Sequence, residues 1–179
     1  MTERELLPGE YAILGLLLEG PMHGYEMARH FEGHELTTVC PIEQSSLYTY
    51  LRNVEGRELV RWEETRVGAR PPRKMYSLTD AGERSVRAWL DSPVMRLREV
   101  RLDFLLKLYF LHRLDPDAER ELLQVQIDVC RDYLGTLESQ PDSTPFLRLV
   151  HGSKRSAALA TLNWLRSYAD DLEKERRHS

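Results

Sequence analysis

The stretch from Gln44 to Leu78 constrains the fold of this 179-residue chain more than any other. It begins with apolar residues at the i, i+3, i+4, i+7 spacing of a helix, namely Leu47, Tyr50, Leu51 and Val54. After Gly56 the pattern changes to two strand-like segments, Leu59 to Glu64 and Arg73 to Leu78. The connection between them contains a glycine and two prolines, which predict a turn that no helix could cross. The stretch as a whole predicts a short helix followed by a β-hairpin.

The face of this helix opposite its apolar residues is polar. A polar helix face ahead of a hairpin is typical of the recognition helix of a winged helix-turn-helix domain. The candidate DNA-contacting residues on it are Gln44, Ser45, Ser46, Tyr48, Thr49 and Arg52. Gln44 and Arg52 can read base edges in the major groove, where glutamine pairs with adenine and arginine with guanine. The hydroxyl residues fit phosphate contacts, although an ordinary solvated helix face has the same composition.

The predicted hairpin tip carries a local positive charge. Four basic residues and no acidic residue lie between positions 66 and 74. We expect Arg70, Arg73 and Lys74 to meet the DNA backbone or the minor groove, whereas Arg66 lies at the strand end and its role is left open. A solvated turn is the alternative explanation for such a run of charge.

Helical patterns flank this stretch on both sides. One helix is predicted from Pro8 to Glu19 and another from about Tyr25 to Glu32, and residues 33–42 are expected to turn the chain. After the hairpin, Thr79 is placed as the N-cap of a further helix. The order of helix, helix, recognition helix and wing is that of a winged helix-turn-helix domain.

The start of the second helix is a further candidate contact with DNA. It is formed by His23, Gly24 and Tyr25, and its backbone amides can dock a phosphate. The side chain of Tyr25 would suit the protein core equally well.

The sequence pattern predicts helices throughout the second half of the chain. We place a domain boundary at Ser92-Pro93, expect one helix to end near His112, and expect another to start at Asp115-Pro116. Two seams repeat apolar residues at steps of 4, 3, 4 and 3, namely Leu123, Ile127, Cys130, Leu134 and Leu137, and Ala158, Leu162, Leu165, Ala169 and Leu172. Such narrow seams must be buried against one another or against a second copy of the chain.

The predicted fold class is therefore mainly α. Residues 1–92 are expected to form an N-terminal winged helix-turn-helix DNA-binding domain with a two-stranded wing. Residues 93–179 are expected to form a C-terminal helical dimerisation domain. No apolar run approaches the roughly 18 residues that a membrane span needs, and the acidic N-terminus does not look like a signal peptide, so we expect a cytoplasmic protein without a membrane partner.

The net charge of −4 argues against a nucleic-acid partner only if charge is spread evenly. Residues 1–90 hold 11 Lys and Arg against 14 Asp and Glu, but the acidic residues concentrate before Gln44 and in the first predicted strand. We therefore take the local positive charge of the hairpin tip, and not the net charge of the chain, as the relevant quantity.

The three tryptophans, Trp62, Trp89 and Trp164, are expected to be core residues. Trp164 nevertheless lies near Tyr168 in the last helix, opposite the place where Tyr109 and Phe110 are expected. A space lined by Tyr109, Phe110, Trp164 and Tyr168 would suit a small, flat aromatic effector.

No motif in the sequence predicts an enzyme or a cofactor. There is no glycine-rich phosphate loop, no Gly-x-Ser-x-Gly turn and no His-Glu-x-x-His metal motif. His30 and His34 have the spacing of a helical metal pair with Cys40 nearby, but Gly33 breaks the helix and surface histidines are the better explanation. Cys40 and Cys130 offer no disulfide framework, and Cys130 occupies a seam position.

Several short segments, in this order and spacing, resemble the PadR family of transcriptional regulators over nearly the whole chain. They include Gly20-Pro21-Met22-His23-Gly24-Tyr25-Glu26, Ser46-Leu47-Tyr48-Thr49-Tyr50-Leu51, Pro72-Arg73-Lys74-Met75-Tyr76-Ser77-Leu78-Thr79 and Ala81-Gly82. The second half, with Asp103-Phe104-Leu105-Leu106-Lys107-Leu108, resembles the subgroup similar to the virulence activator AphA. Glu58 departs from the family, whose members often have glycine at this position.

The resemblance implies a homodimer that binds a pseudo-palindromic operator in double-stranded DNA and represses a nearby gene. It also implies that a small aromatic ligand can release the protein from DNA, although members of the AphA-like subgroup activate genes or have no known ligand. The alternative is a winged-helix module that binds another protein and has no specific affinity for DNA.

Overall fold

The computed structural model describes residues 5–32, 35–65 and 72–178. The N-terminal elements are α1 (Pro8–Leu18), β1 (Met22–His23), α2 (Gly24–His30), α3 (Glu35–Val39), α4 (Gln44–Gly56), β2 (Val60–Thr65), β3 (Arg73–Leu78) and α5 (Asp80–Leu90). A 3₁₀ turn (Leu97–Glu99) and a wide helical turn (Val100–Phe104) precede α6 (Leu105–Leu114), α7 (Pro116–Glu138) and α8 (Pro145–His178). The predicted fold class is confirmed, since the described chain is mostly helical with a small antiparallel sheet.

Contacts divide the chain into two compact units. Unit 1 comprises residues 1–92 and 101–114, and unit 2 comprises residues 93–100 and 115–179. The chain leaves unit 1 after Ser92, where the sequence places a boundary. However, α6 belongs to unit 1, because it packs on α1 and α3 and the Phe110 ring fills the space over Gly15. The sequence pattern assigns this helix to the second domain, because an apolar repeat does not show which neighbour it packs against.

The core of unit 1 is built around α1. Ala12, Ile13, Leu14 and Leu16 are fully buried, and the helix contacts α4, α5, α6 and β3. A helix that is apolar on nearly all sides must lie in the interior of its unit. The other helices and the sheet are therefore arranged around α1.

The sheet of unit 1 has three strands in the order β1-β3-β2, all antiparallel. Trp62 pairs with Tyr76 and Glu64 with Lys74 across the predicted hairpin, so its two strands are confirmed within one residue of the predicted bounds. The sequence predicts only these two strands, which is wrong, because Met22 and His23 add β1 to the other edge of β3. A strand of two residues is too short to have a periodic pattern.

Two further details of unit 1 differ from the sequence prediction. Residues 33–42 are expected to turn the chain, but the segment contains α3, whose Leu36 is fully buried. Helix α2 ends at His30, two residues earlier than predicted. The N-cap at Thr79 is confirmed, since its hydroxyl accepts the Gly82 N–H at 3.1 Å.

Unit 2 is dominated by α7 and α8, which pack on each other. The Asp115 carboxylate accepts the Ala118 N–H at 3.1 Å, which confirms the predicted start of α7. Both predicted seams are buried apart from Leu134 and Ala169, which are half-buried. The seams are thus covered, at least in part, within one chain. Among the described residues, no helix is both long and apolar enough to cross a membrane.

Candidate nucleic-acid interface

Helix α4 presents the polar face that its sequence predicts. Leu47, Leu51 and Val54 are buried on one side, while Tyr50 is half-buried and its ring packs over Gly9. Exposed side chains cover the other side, namely Gln44, Ser45, Tyr48, Thr49 and Arg52, and Ser46 is half-buried at its border. All six predicted contact residues of α4 are thus at or next to the surface.

Hydrogen bonds along α4 order part of this face. The Thr49 hydroxyl donates to the Ser45 carbonyl at 3.1 Å, and Arg52 Nη2 donates to Thr49 Oγ1 at 3.2 Å. Ser45, Ser46, Thr49 and Tyr50 line a shallow depression of about 240 Å³. An arginine has five N–H donors, so Arg52 can contact Thr49 and a DNA acceptor at once.

A larger concavity joins three of the predicted contact regions, and we call it the wing cleft. Its volume is about 680 Å³, and it is lined by His23, Gly24, Tyr25, Tyr48, Arg73, Lys74 and Tyr76. The start of α2, the middle of α4 and the first residues of β3 therefore meet at one surface. Because β1 ends opposite Met75, Arg73 and Lys74 extend past it and border the cleft.

His23 connects the start of α2 to the wing. Its Nδ1 lies 2.9 Å from the Lys74 carbonyl oxygen, and because a carbonyl can only accept, Nδ1 is the donor. The His23 backbone N–H donates to the Glu26 carboxylate at 2.6 Å. An anion approaching the first amides of α2 would therefore meet the Glu26 carboxylate beside them. Tyr25, which would also have suited the core, is 58% exposed.

Lys74 is held by two residues that the sequence does not single out as functional. Its Nζ lies 3.6 Å from Glu55 Oε1 and 3.8 Å from the centre of the Trp62 ring. Trp62 Nε1 in turn donates to Glu55 Oε1 at 2.6 Å. The expectation that Trp62 is a core residue is wrong, since it is 39% exposed under the Lys74 ammonium. The hairpin register could have indicated this pair, because Trp62 and Lys74 are diagonal neighbours on one face.

Tyr76 is the buried tyrosine among the residues that line the cleft. Burial raises the pKa of Tyr76, with smaller contributions from Glu55 and Tyr48. Its phenol therefore stays protonated and can donate a hydrogen bond. Arg73 is exposed, whereas Arg66 and Arg70 lie outside the described residues.

The four aromatic residues expected to line an effector space divide between the two units. Phe110 is fully buried in unit 1, and the neighbouring Tyr109 ring meets it edge-on with centroids 5.1 Å apart. In unit 2, Trp164 stacks on Tyr168 at 6.4 Å, and the Tyr168 hydroxyl donates to buried Glu119 at 2.6 Å. Trp164 is not the core residue that the sequence predicts, because it is 40% exposed. The effector role of these four residues stays a prediction.

The structure brings no metal-binding cluster together in the ranges it describes, where no three His, Cys, Asp or Glu residues are suitably grouped. His34 of the candidate pair lies outside these ranges. Cys40 and Cys130 are both buried free thiols. Burial, with a smaller contribution from Asp103, raises the pKa of Cys40 to about 11, so this thiol is protonated at neutral pH.

The sequence of this chain is similar to those of known transcriptional regulators. Residues 13–88 match the model of the transcriptional regulator PadR-like family. The negative transcriptional regulator PadR of Bacillus subtilis strain 168 is 26% identical over 181 residues, which cover 93% of this chain and 98% of that protein. The probable transcriptional regulator Rv1176c of Mycobacterium tuberculosis strain H37Rv is 30% identical over 91 residues, which cover 51% of this chain and 48% of that protein.

Solved structures of the Bacillus subtilis protein also match. Its complex with operator DNA is 26% identical, has a TM-score of 0.47, and the match covers 91% of this chain and 98% of that chain. Its complex with p-coumaric acid is 25% identical, with a TM-score of 0.44, and the match covers 93% and 99% of the two chains. The likeness of the second half to the AphA-like subgroup stays a prediction. Residues 13–88 thus resemble the transcriptional regulator PadR-like family, and the chain as a whole is similar to a negative transcriptional regulator over 93% of its length.

Proposed function

We propose that this chain is a homodimeric transcriptional repressor that binds a pseudo-palindromic operator. DNA binding is assigned to residues 1–92, and dimerisation to α7 and α8 within residues 93–179. The observation that carries the proposal is the wing cleft, where the polar face of α4 and the cations of β3 border one concave surface. The nearly full-length similarity to a negative transcriptional regulator supports repression as the output.

The two parts of the interface have different tasks. Helix α4 enters the major groove with Gln44 and Arg52 on base edges, which gives sequence preference. Arg73 and Lys74 contact phosphates, which gives affinity and register without reading sequence. The net charge of −4 does not oppose this, because at physiological salt only charges within about 8 Å of the phosphates act strongly.

Dimerisation is supported by the surface of α8. Phe146 and Leu149 lie on one face of this helix, three residues apart, and are 70% and 69% exposed. They are separate from the seam that packs on α7. A second copy of the chain would cover them and would also present the second recognition helix that a two-fold operator requires.

An aromatic ligand is proposed to release the protein from its operator. The support for this is the sequence similarity to Bacillus subtilis PadR, a protein that has been solved with operator DNA and with p-coumaric acid. A thermal-shift screen with hydroxycinnamic acids and other small phenols tests it. A ligand that raises Tm should also weaken operator binding, and no shift with any compound would favour a regulator without an effector.

The DNA-binding proposal is tested by gel shift on the region upstream of the protein's own gene. A specific complex should persist in excess competitor DNA, whereas a protein-binding module would show none. In Gln44→Ala the preference for the operator over single-base variants should fall, by about 1–3 kcal/mol at the base that Gln44 reads. Unchanged preference in this variant would contradict the assignment of α4 as the base-reading helix.

A further inference from the structure

We propose that Glu55 is a positioning residue that limits DNA affinity by competing with phosphate for Lys74. The inference rests on the proposed function, since it concerns the same interface. It assigns a role to an acidic residue that lies beside cations expected to bind a polyanion. Glu55 acts through two contacts that have different consequences.

The first contact fixes the place of the Glu55 carboxylate. Glu55 lies in the last turn of α4, and its Oε1 accepts the Trp62 indole N–H from β2 at 2.6 Å. A hydrogen bond from a neutral donor to a carboxylate is short and strong compared with one between neutral groups. This bond ties the end of the recognition helix to the wing, and it does not depend on Lys74.

The second contact places a negative charge beside Lys74. The distance from Nζ to Oε1 is 3.6 Å, and the ammonium also lies over the Trp62 ring. Both charged side chains are partly exposed, at 44% for Lys74 and 32% for Glu55. An exposed ion pair is weak, so a DNA phosphate can compete for this lysine.

Because Trp62 holds the Glu55 carboxylate, the carboxylate stays in place when Lys74 moves toward a phosphate. Lys74 then loses its ion pair with Glu55, and this loss offsets part of the gain from the phosphate contact. The wing therefore binds DNA less tightly than Arg73 and Lys74 alone would allow. For a repressor that must leave its operator, a limited affinity of this kind favours release and reduces binding to unrelated DNA.

The test uses Glu55→Gln in the full-length protein. Glutamine keeps an oxygen that accepts the Trp62 N–H but has no charge. The variant therefore tests the charge of Glu55 without changing the position of the wing. We expect this variant to bind operator and unrelated duplex about two- to fivefold more tightly at low salt, the range that an exposed ion pair is worth. The plot of log affinity against log salt should become steeper by up to about 1, because Lys74 is free to pair with a phosphate.

Glu63→Gln is the matched control. Glu63 is exposed on β2 next to Trp62, but it pairs with Met75 and therefore lies on the opposite face of the hairpin from Lys74. The Glu63→Gln variant removes the same charge as Glu55→Gln, but it should change the affinity for DNA by less than about twofold. Glu55→Gln should also give no gain in a Lys74→Ala background, because its effect passes through Lys74. Thermal melts of all variants check that each is folded.

The outcomes separate the inference from the function it rests on. If the wild-type protein binds DNA but Glu55→Gln binds no tighter, the inference is wrong and the proposed function stands. An equal gain in Glu63→Gln, or a gain that persists without Lys74, would also overturn the inference. A wild-type protein that binds no duplex overturns both.

Discussion

At the scale of single residues, Gly82 is the described glycine at which an added Cβ would come closest to another atom. It lies in the first turn of α5, and a Cβ added to it would overlap the Leu59 carbonyl oxygen. The clash is with backbone, so no side-chain rotation can relieve it. Gly82→Ala should therefore lower the free energy of unfolding by about 3 kcal/mol, the upper end for an overpacked site. Denaturant unfolding measures this. Gly56→Ala, where a Cβ meets no atom within 4 Å, should cost nothing, and an equal loss in both variants would contradict the explanation.

Glu58 is the second position where the backbone decides the preferred residue. Its φ of 57° lies in the left-handed region, which glycine adopts without strain. The left-handed φ gives a physical reason for the glycine expected at this position from the family resemblance, and it puts Glu58 under backbone strain. Glu58→Gly should stabilise the protein by about 0.5 kcal/mol, because relief of about 1 kcal/mol of strain is partly offset by the greater entropy of the unfolded chain. Glu58→Ala keeps the strain and should show no gain in the same unfolding assay. Equal stability of the two variants would rule out backbone strain as the cause.

At the scale of elements, the loop between α7 and α8 is fixed by ionic hydrogen bonds. The Asp142 carboxylate lies 2.7 Å from His151 Nδ1 and accepts from Arg155 Nη2 at 3.2 Å. The hydrogen bond from His151, followed by that from Arg155, holds the pKa of Asp142 below its usual value. A lowered pKa means that the folded state favours the ionised carboxylate, so its contribution is present above the unfolded pKa near 3.9 and is lost as pH falls through the folded pKa.

A pH titration of stability tests this network. We expect Tm to fall as the pH is lowered below about 4, and the fall should be smaller in Asp142→Asn, which has no carboxylate to protonate. Melting curves from pH 6 to pH 2.5 measure the difference. Asp132→Asn, which removes an exposed carboxylate from α7, is the control. If Asp142→Asn keeps the full acid dependence of the wild type, Asp142 is not a source of it.

The elements also show how far sequence reasoning reaches. Helix α4, the hairpin and the seams of α7 and α8 were predictable, because each repeats its apolar residues over several turns or strand positions. Strand β1 and helix α3 were not, because they are two and five residues long and are held by tertiary contacts alone. Most residues of the wing cleft were predicted individually as candidates, but Tyr76 was not, and their meeting at one surface depends on the pairing of β1 with β3. Glu55 was missed because an acidic residue at a helix end resembles ordinary surface.

At the scale of the whole molecule, dimerisation through α8 can be tested directly. Replacing Phe146 and Leu149 together by serine removes most of the apolar surface at the start of this helix and should convert a dimer to monomers. Light scattering after size-exclusion chromatography measures the mass in solution. Met95→Ser is the control, because Met95 is a single exposed apolar side chain outside the helices. A double variant that remains dimeric would place the interface elsewhere on the chain.

The central claim is that a chain with a net charge of −4 binds duplex DNA through a local cluster of cations on its wing. The salt dependence of binding to a duplex from its own promoter tests this claim most directly. Affinity should fall steeply from 50 to 200 mM salt, and Arg73→Ala should reduce the slope of log affinity against log salt by about 1 for every DNA sequence. Arg131→Ala on α7 should leave the slope unchanged. Binding that does not depend on salt, or no binding even at 50 mM, would contradict the account.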